Sequence, residues 1–342
     1  MGRYRILDRL GAGAFGVVYK VHDPKLDRDV ALKTLKRSDD EEASTWVRRF
    51  RQEARAAAKL RHDGIVQVYD CGTSKGLAYL TMELIDGTSF AVWLRERGMS
   101  PCRDTWSRLG LKPATPGERA ARLPSTLVIL WRIADALGYA HERSIVHRDI
   151  KPQNILIDRS SRPHIADFGL ARDVSSASSI TSSGVAMGTP WYMSPEQFRG
   201  ESRDVTAASD VFALGVMLYE ILTGQLPFNG ESLFLLGQAV VSEAPRRPTS
   251  IEPSTPADVE RICLKALEKD PTVRYATARD LAHPLKRYLS SRSGPSSSGQ
   301  GGAPSSPLVA APVSDPTSPS VCPACGGPMV RRKGKFGPFL GC

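Results

Sequence analysis

The apolar pattern of the chain changes period once, near residue 85, and that change sets the fold class. Before it, short β-like runs dominate, at 4–10, 17–22, 30–35, 65–69 and 77–84. In such runs successive side chains point to opposite faces, so apolar and polar residues alternate. One helical stretch, about 42–60, interrupts them. Beyond 85, longer runs with apolar residues three and four apart take over, most clearly at 125–142 and 209–223. Leu127, Leu130, Trp131, Ala134, Leu137 and Tyr139 make the core-facing side of the first, and Ser125 suits its N-cap. The pattern predicts an α+β chain, with a small β-rich lobe over 1–84 and a larger α-rich lobe over 85–289. Residues 290–320 are mostly Ser, Pro and Gly. They hold too little apolar surface to offset the entropy of ordering and read as a flexible linker. Residues 321–342 form a short module of Cys, Gly and basic residues.

Composition excludes several function classes. No window approaches 18 uninterrupted apolar residues; the best runs are 126–131 and 211–222, and Glu220 breaks the second. The N-terminus has no apolar stretch of the secretory kind, and Gly2 is followed by Ile6 where myristoylation wants Ser or Thr. No membrane association is expected. Cys71, Cys102 and Cys263 are scattered and Cys322, Cys325 and Cys342 cluster at the end, which is no disulfide framework. A reducing, cytoplasmic setting fits. The formal charge is +10, but Arg331, Arg332, Lys333 and Lys335 supply four of those charges inside the last 22 residues. The remainder is spread along the body, which argues against a nucleic-acid role there.

The residues that carry chemistry follow in order. Gly11-Ala-Gly13-Ala-Phe-Gly16 leads into Val17-Val18-Tyr19, a strand and not a helix. A hairpin tip lying over phosphates fits better than a dinucleotide turn, because the glycines let backbone N–H groups approach anionic oxygens. In Val30-Ala31-Leu32-Lys33, Ala31 and Lys33 share one face of a strand. Glu53 lies between Phe50 and Ala57 on the apolar side of its helix, and a carboxylate there needs a partner. Lys33 is the natural one. The strongest signal is His147-Arg-Asp149-Ile-Lys151-Pro-Gln-Asn154, with Asp167-Phe-Gly169 beginning 18 residues after Asp149.

With these motifs in this order, and Ser194-Pro195-Glu196 after them, residues 4–289 resemble the eukaryotic-like protein kinases. Segments such as HERSIVHRDIKPQNILID and GTPWYMSPEQF resemble bacterial serine/threonine kinases in particular. The resemblance implies a two-lobed protein kinase fold and transfer of the γ-phosphate of ATP to Ser or Thr hydroxyls of proteins. It implies that Asp149 accepts the substrate hydroxyl proton and that Lys151 stabilises the transferring phosphoryl group. Asn154 and Asp167 would hold Mg²⁺ (or Mn²⁺) as hard oxygen ligands. Lys33, held by Glu53, would grip the α- and β-phosphates. Leu10, Gly11, Gly13 and Gly16 would cover the nucleotide. Val18, Ala31 and Leu156 would sandwich the adenine, with Met82 behind it and the backbone of Glu83 and Leu84 at its edge. His147 and Phe168 would pack in an internal spine. Glu196 would pair with Arg274, and Asp210 would anchor the catalytic-loop backbone. Arg148 would receive a phosphate on the activation segment, with Thr181 and Ser183 as the acceptor sites and Thr189 beside the catalytic residues.

Two other classes compete. A kinase-fold scaffold normally lacks one of Lys33, Asp149, Asn154 or Asp167, and all four are present. A small-molecule phosphotransferase usually lacks the Gly-Thr-Pro stretch at 188–190 and the Pro-Glu that follows. The chain departs from the family pattern in a long connection, 98–124, expected as a surface loop, and in Ala57, where many kinases place Leu or Met. The tail, Cys322-Pro-Ala-Cys325-Gly ending at Cys342, resembles the zinc ribbons at the C-terminus of type IA topoisomerases. It holds three of the four thiolates a tetrahedral Zn²⁺ site needs. Two readings stand: a ribbon completed by a ligand beyond this stretch, or a basic tail with reactive thiols. In the first, Phe336, Phe339 and the basic residues suit nucleic acid.

Overall fold

The computed structural model describes residues 1–13, 16–35, 43–74, 77–99, 112–168, 190–200, 205–292, 330–334 and 337–341. The chain divides into two units, Met1–Gly294 and Pro295–Cys342.

The first five strands build one antiparallel sheet in the order β1-β2-β3-β5-β4. They are β1 (Arg5–Gly13), β2 (Gly16–Asp23), β3 (Arg28–Leu35), β4 (Val68–Ser74) and β5 (Leu77–Met82). The β2–β3 turn follows from its residues: Asp23 accepts the Lys25 N–H at 3.0 Å and Asp27 adopts φ 45, a conformation that aspartate tolerates well. The fourth strand starts later than its apolar run suggests. Ile65 instead makes a lone parallel bridge to Ile165, which ties the sheet's lobe to the strands below. Helix α1 (Ala43–Ala58) supplies Phe50 and Ala54 to the apolar cluster against this sheet.

Past residue 86 a small sheet of β6 (Gly87–Ser89), β7 (Ile155–Asp158) and β8 (Pro163–Ile165) underlies the site, and helices build the rest. These are α2 (Phe90–Glu96), α3 (Pro116–His141), α4 (Pro195–Phe198), α5 (Ala207–Thr223), α6 (Leu233–Ser242), α7 (Ala257–Ala266) and α8 (Ala278–Arg292). Every residue of α5 from Ala208 to Thr223 is buried, so this helix is the axis of the core and not a surface element. Thr206 caps its start and Gly224, at φ 67, ends it. No helix among the described residues is long and apolar enough to cross a membrane.

The connection at 98–124 corrects an expectation. Its second half is not a loop: α3 begins at Pro116, capped by Thr115, with Glu118 Oε2 in turn accepting the Thr115 N–H at 2.9 Å. Ser125 is therefore inside the helix, where its hydroxyl donates to the Arg122 carbonyl at 2.9 Å, and caps nothing. The two ends of the intervening stretch meet, since the Ala114 N–H donates to the Gly98 carbonyl at 3.0 Å. Gly98 sits at φ 62, and a Cβ there would collide with the Ala114 nitrogen. Gly98→Ala should therefore cost more than the ~1 kcal/mol of an ordinary left-handed glycine, read as a lowered denaturation midpoint.

The second unit contributes a hairpin of β9 (Val330–Gly334) and β10 (Gly337–Gly341), with Arg332 opposite Phe339 and Arg331 opposite Leu340. Cys322, Cys325 and Cys342 lie outside the described residues, as do Thr181, Ser183 and Thr189.

Candidate active site

The candidate site is assembled where the five-stranded sheet meets the loop 147–154. Antiparallel pairing puts Ala31 opposite Met82 and Lys33 opposite Val18 and Leu80. Ala31 and Met82 belong to one apolar cluster, against which Val18, Leu84 and Leu156 pack. Five of the residues expected around a planar base are thus in one place, drawn from four strands and the stretch after β5. At its edge the Glu83 N–H is taken by the Gln67 carbonyl at 2.9 Å, whereas the Leu84 N–H makes no hydrogen bond among the described residues. An open strand edge of this kind suits a ligand with its own donor–acceptor edge.

The glycine hairpin pairs Gly11 with Val18 and Gly13 with Gly16. Gly16 stands at φ 148, in the region that favours glycine. A Cβ on Gly11 would meet nothing within 4 Å, so the backbone there faces open space. Leu10 beside it is half exposed.

The loop 147–154 is held through its backbone. Asp210, buried in the first turn of α5, accepts the N–H groups of His147 at 2.8 Å and Arg148 at 2.7 Å, and His141 Nε2 at 2.9 Å. His141 Nδ1 accepts the Ala278 N–H at 3.2 Å. A ring nitrogen that accepts carries no proton, so the His141 proton is on Nε2 and points at Asp210. Burial opposes the charge on Asp210, but these donors hold its carboxyl below the usual range. Arg148 is thereby kept at φ 69, an uncommon backbone conformation for a side chain with a Cβ. His147 repeats the tautomer logic: Nε2 meets the Ala166 carbonyl at 2.8 Å and Nδ1 accepts the Asp149 N–H at 3.3 Å. Its ring also packs on Phe168, with centroids 4.8 Å apart. One histidine thus spaces Asp149 from Asp167.

Around Asp149 the geometry is tight. Lys151 Nζ lies 2.8 Å from both carboxylate oxygens. Asn154 Nδ2 donates to the Asp149 carbonyl at 2.8 Å and to its Oδ2 at 2.9 Å. This fixes which end of the Asn154 amide is which, leaving Oδ1 as its free acceptor. Asp167 sits at φ 65, with Oδ2 2.7 Å from Lys33 Nζ. Burial would raise its pKa, yet the Lys33 ammonium beside it holds the carboxyl below the usual range. An anionic carboxylate and an oriented amide oxygen, both near the loop, are a donor set that fits a hard divalent cation.

Glu53 is half-buried on α1, but the ion pair of Lys33 among the described residues is with Asp167. Among the described residues no ion pair joins Lys33 to Glu53. Sequence reasoning also missed Gln197, whose Nε2 donates to the Arg148 carbonyl at 2.7 Å, and His141. Their signals were slight: a histidine six residues before His147, and a glutamine after Glu196. Glu196 and Arg274 do meet, in two parallel bonds of 2.9 Å.

Comparison with known proteins agrees with this geometry. The family model described as "Protein kinase domain" matches residues 4–285. Serine/threonine-protein kinase PrkC of Bacillus subtilis is 39% identical over 285 residues, covering 83% of this chain and 40% of that protein. Serine/threonine-protein kinase PknB of Mycobacterium leprae is 37% identical over 292 residues, covering 84% and 43%. The chain thus spans about two fifths of the length of these curated relatives. The crystal structure of the Mycobacterium tuberculosis PknI kinase domain superposes with a TM-score of 0.58 at 26% identity, covering 83% of this chain and 95% of that one. The matched residues hold both the glycine hairpin and the Asp149–Asp167 constellation, and the chain belongs to the protein kinase family.

Proposed function

We propose that the chain is an ATP-dependent protein kinase that phosphorylates Ser and Thr hydroxyls of proteins. The observation that carries the reading is the pairing of Asp149 with Lys151 and Asn154, opposite a second carboxylate, Asp167, held by Lys33. Phosphoryl transfer needs positioning and charge neutralisation more than covalent help from the protein. Asp149 accepts the hydroxyl proton as the oxygen attacks. Lys151, already between the two oxygens of Asp149, moves its charge onto the transferring phosphoryl oxygens. Lys33 exchanges Asp167 for the nucleotide's phosphates, and Glu53 then becomes its carboxylate partner. Asn154 Oδ1 and the freed Asp167 would hold Mg²⁺ or Mn²⁺, which would neutralise the phosphate charge. Val18, Ala31, Met82 and Leu156 enclose the base, with the Glu83 and Leu84 backbone at its edge.

The test is incubation of the purified chain with radiolabelled ATP and casein, followed by phosphosite mapping. Label on Ser and Thr supports the reading; its absence, with the protein folded, ends it. Phosphate at Thr181 or Ser183 would pair with Arg148, next to Asp149. Phosphatase treatment should therefore lower kcat/KM at least several-fold, measured against a mock-treated sample. A rate that does not move would remove the activation-segment role.

The tail is read as a separate nucleic-acid-binding module. Three thiolates, Cys322, Cys325 and Cys342, would take Zn²⁺ with a fourth ligand from elsewhere, and the basic β9 strand would meet phosphates. Zinc content and mobility shift of a 315–342 peptide, beside one extended by a further Cys, test it. No zinc in either ends it.

A further inference from the structure

The early start of α3 carries a guanidinium into the core. Arg119 is only 6% exposed. Its Nη1 donates to the Ile221 carbonyl and its Nη2 to the Gly98 carbonyl, each at 3.4 Å. Ile221 lies in the last turn of α5, where the helix dipole presents its negative end, so a cation there is favourably placed. The seat is built for it. Gly224 follows α5 at φ 67, and any Cβ on it would collide with Nη2. Glu220 and Glu252 are buried and close enough to act on the Arg119 charge.

Through Glu220, that same turn of α5 reaches the turn Pro190–Tyr192. Glu220 Oε2 accepts the Tyr192 hydroxyl at 2.7 Å, with both side chains buried. Tyr192 ends the turn Pro190–Tyr192, whose Trp191 is 40% exposed. Two residues on, Ser194 shares its N–H with Gln197 Oε1 at 3.0 Å, and the other end of that amide reaches the Arg148 carbonyl at 2.7 Å. The turn is thus anchored on one side to the residue before Asp149 and on the other to the end of α5. It presents an aromatic face between them. We propose that Arg119 is a positioning residue for the protein substrate. By pinning the last turn of α5 it fixes the Glu220–Tyr192 contact, and with it the turn 190–193 on which a substrate chain lies beside Asp149. This rests on the reading of the chain as a protein kinase. Residue 119 belongs to the connection 98–124, which the sequence sets apart from the family pattern.

The experiment compares steady-state kinetics of wild type, Arg119→Met, Arg119→Lys and Tyr192→Phe in the full chain, with casein and ATP varied in turn. Arg119→Met should raise KM for casein roughly ten-fold, with kcat and the KM for ATP within about two-fold. Arg119→Lys, which keeps the charge, should recover part of that loss. Tyr192→Phe should reproduce the casein effect, and the Arg119→Met/Tyr192→Phe double variant should add little to either single change. An active wild type whose casein KM does not move in folded Arg119→Met overturns the role. So does a parallel rise in both KM values, which a general loss of packing would cause. Should Arg119→Met not fold, Arg119→Lys and Tyr192→Phe carry the comparison, and unchanged casein KM in both overturns it. A folded wild type that labels nothing defeats the kinase reading itself, and this role with it.

Discussion

Asp149→Asn should lower kcat for phosphoryl transfer roughly 10²–10⁴-fold, the range lost when a positioned general base is removed. The denaturation midpoint should stay within about 2 °C of wild type. The substitution keeps shape and removes one thing, an acceptor for the substrate hydroxyl proton. Asn154 would still bond the residue-149 carbonyl, and Asp210 would still hold the loop through His147 and Arg148. Lys151, itself buried, would lose a carboxylate but keep the side-chain amide oxygen of residue 149 as an acceptor, so its charge is not left without a partner. Lys33→Met and Asp167→Asn should act in the same direction, because the proposed reaction assigns both residues to phosphate charge and not to the core. An Asp149→Asn chain with near-wild-type turnover would sink the mechanism.

The arrangement around Asp149 was legible because its geometry is local. Asp149, Lys151 and Asn154 lie within six residues, and a strand's two-residue period alone puts Ala31 and Lys33 on one face. The spacing of Asp210 before a long apolar run was readable for the same reason. What was not legible depends on where distant elements come to rest. The partner of Lys33 is decided by how α1 sits on the sheet, and nothing in the residues around Glu53 fixes that. The start of α3 was misread for a different reason. Ser125 follows Pro124 and has the residue type of a cap, which outweighed the true signal, Thr115-Pro116 with Glu118 three residues after the threonine. A proline inside a helix forfeits one backbone bond. Here the helix continues through it, with the Thr126 hydroxyl donating to the Arg122 carbonyl at 2.9 Å and Leu123, Leu127 and Leu130 buried on either side. Tertiary burial overrode the local break. The same error hid Arg119, since a loop residue gives no reason to expect a buried guanidinium.

Arg274→Ala should destabilise the fold by about 3–5 kcal/mol, the cost of stranding a buried charge. Its guanidinium meets both oxygens of Glu196 and also donates to the carbonyls of Ala208, Glu268 and Lys269. Without it, Glu196 keeps the Ser209 hydroxyl at 2.6 Å and otherwise sits charged in the core. Glu196→Gln should cost a comparable amount for the mirrored reason. The double variant should cost much less than the two summed, because neither charge is then left alone. Acid should have the same effect as Glu196→Gln. Burial pushes the Glu196 carboxyl up, but Arg274 and Ser209 bring it net below the ordinary glutamate value of 4.5. A depressed folded-state value means the pair contributes fully above that ordinary value and loses its contribution as pH falls through the lower one. Urea midpoints measured downward from pH 6 should therefore fall more steeply in wild type than in Glu196→Gln. The activity of Arg274→Ala separates architecture from chemistry. Assayed at 37 °C it should look as inactive as Asp149→Asn. Assayed well below its own melting point it should regain most of its turnover, whereas Asp149→Asn stays inactive at every temperature. If Arg274→Ala remained inactive while fully folded, the Glu196–Arg274 pair would belong to the phosphoryl-transfer machinery and not to the frame that holds it.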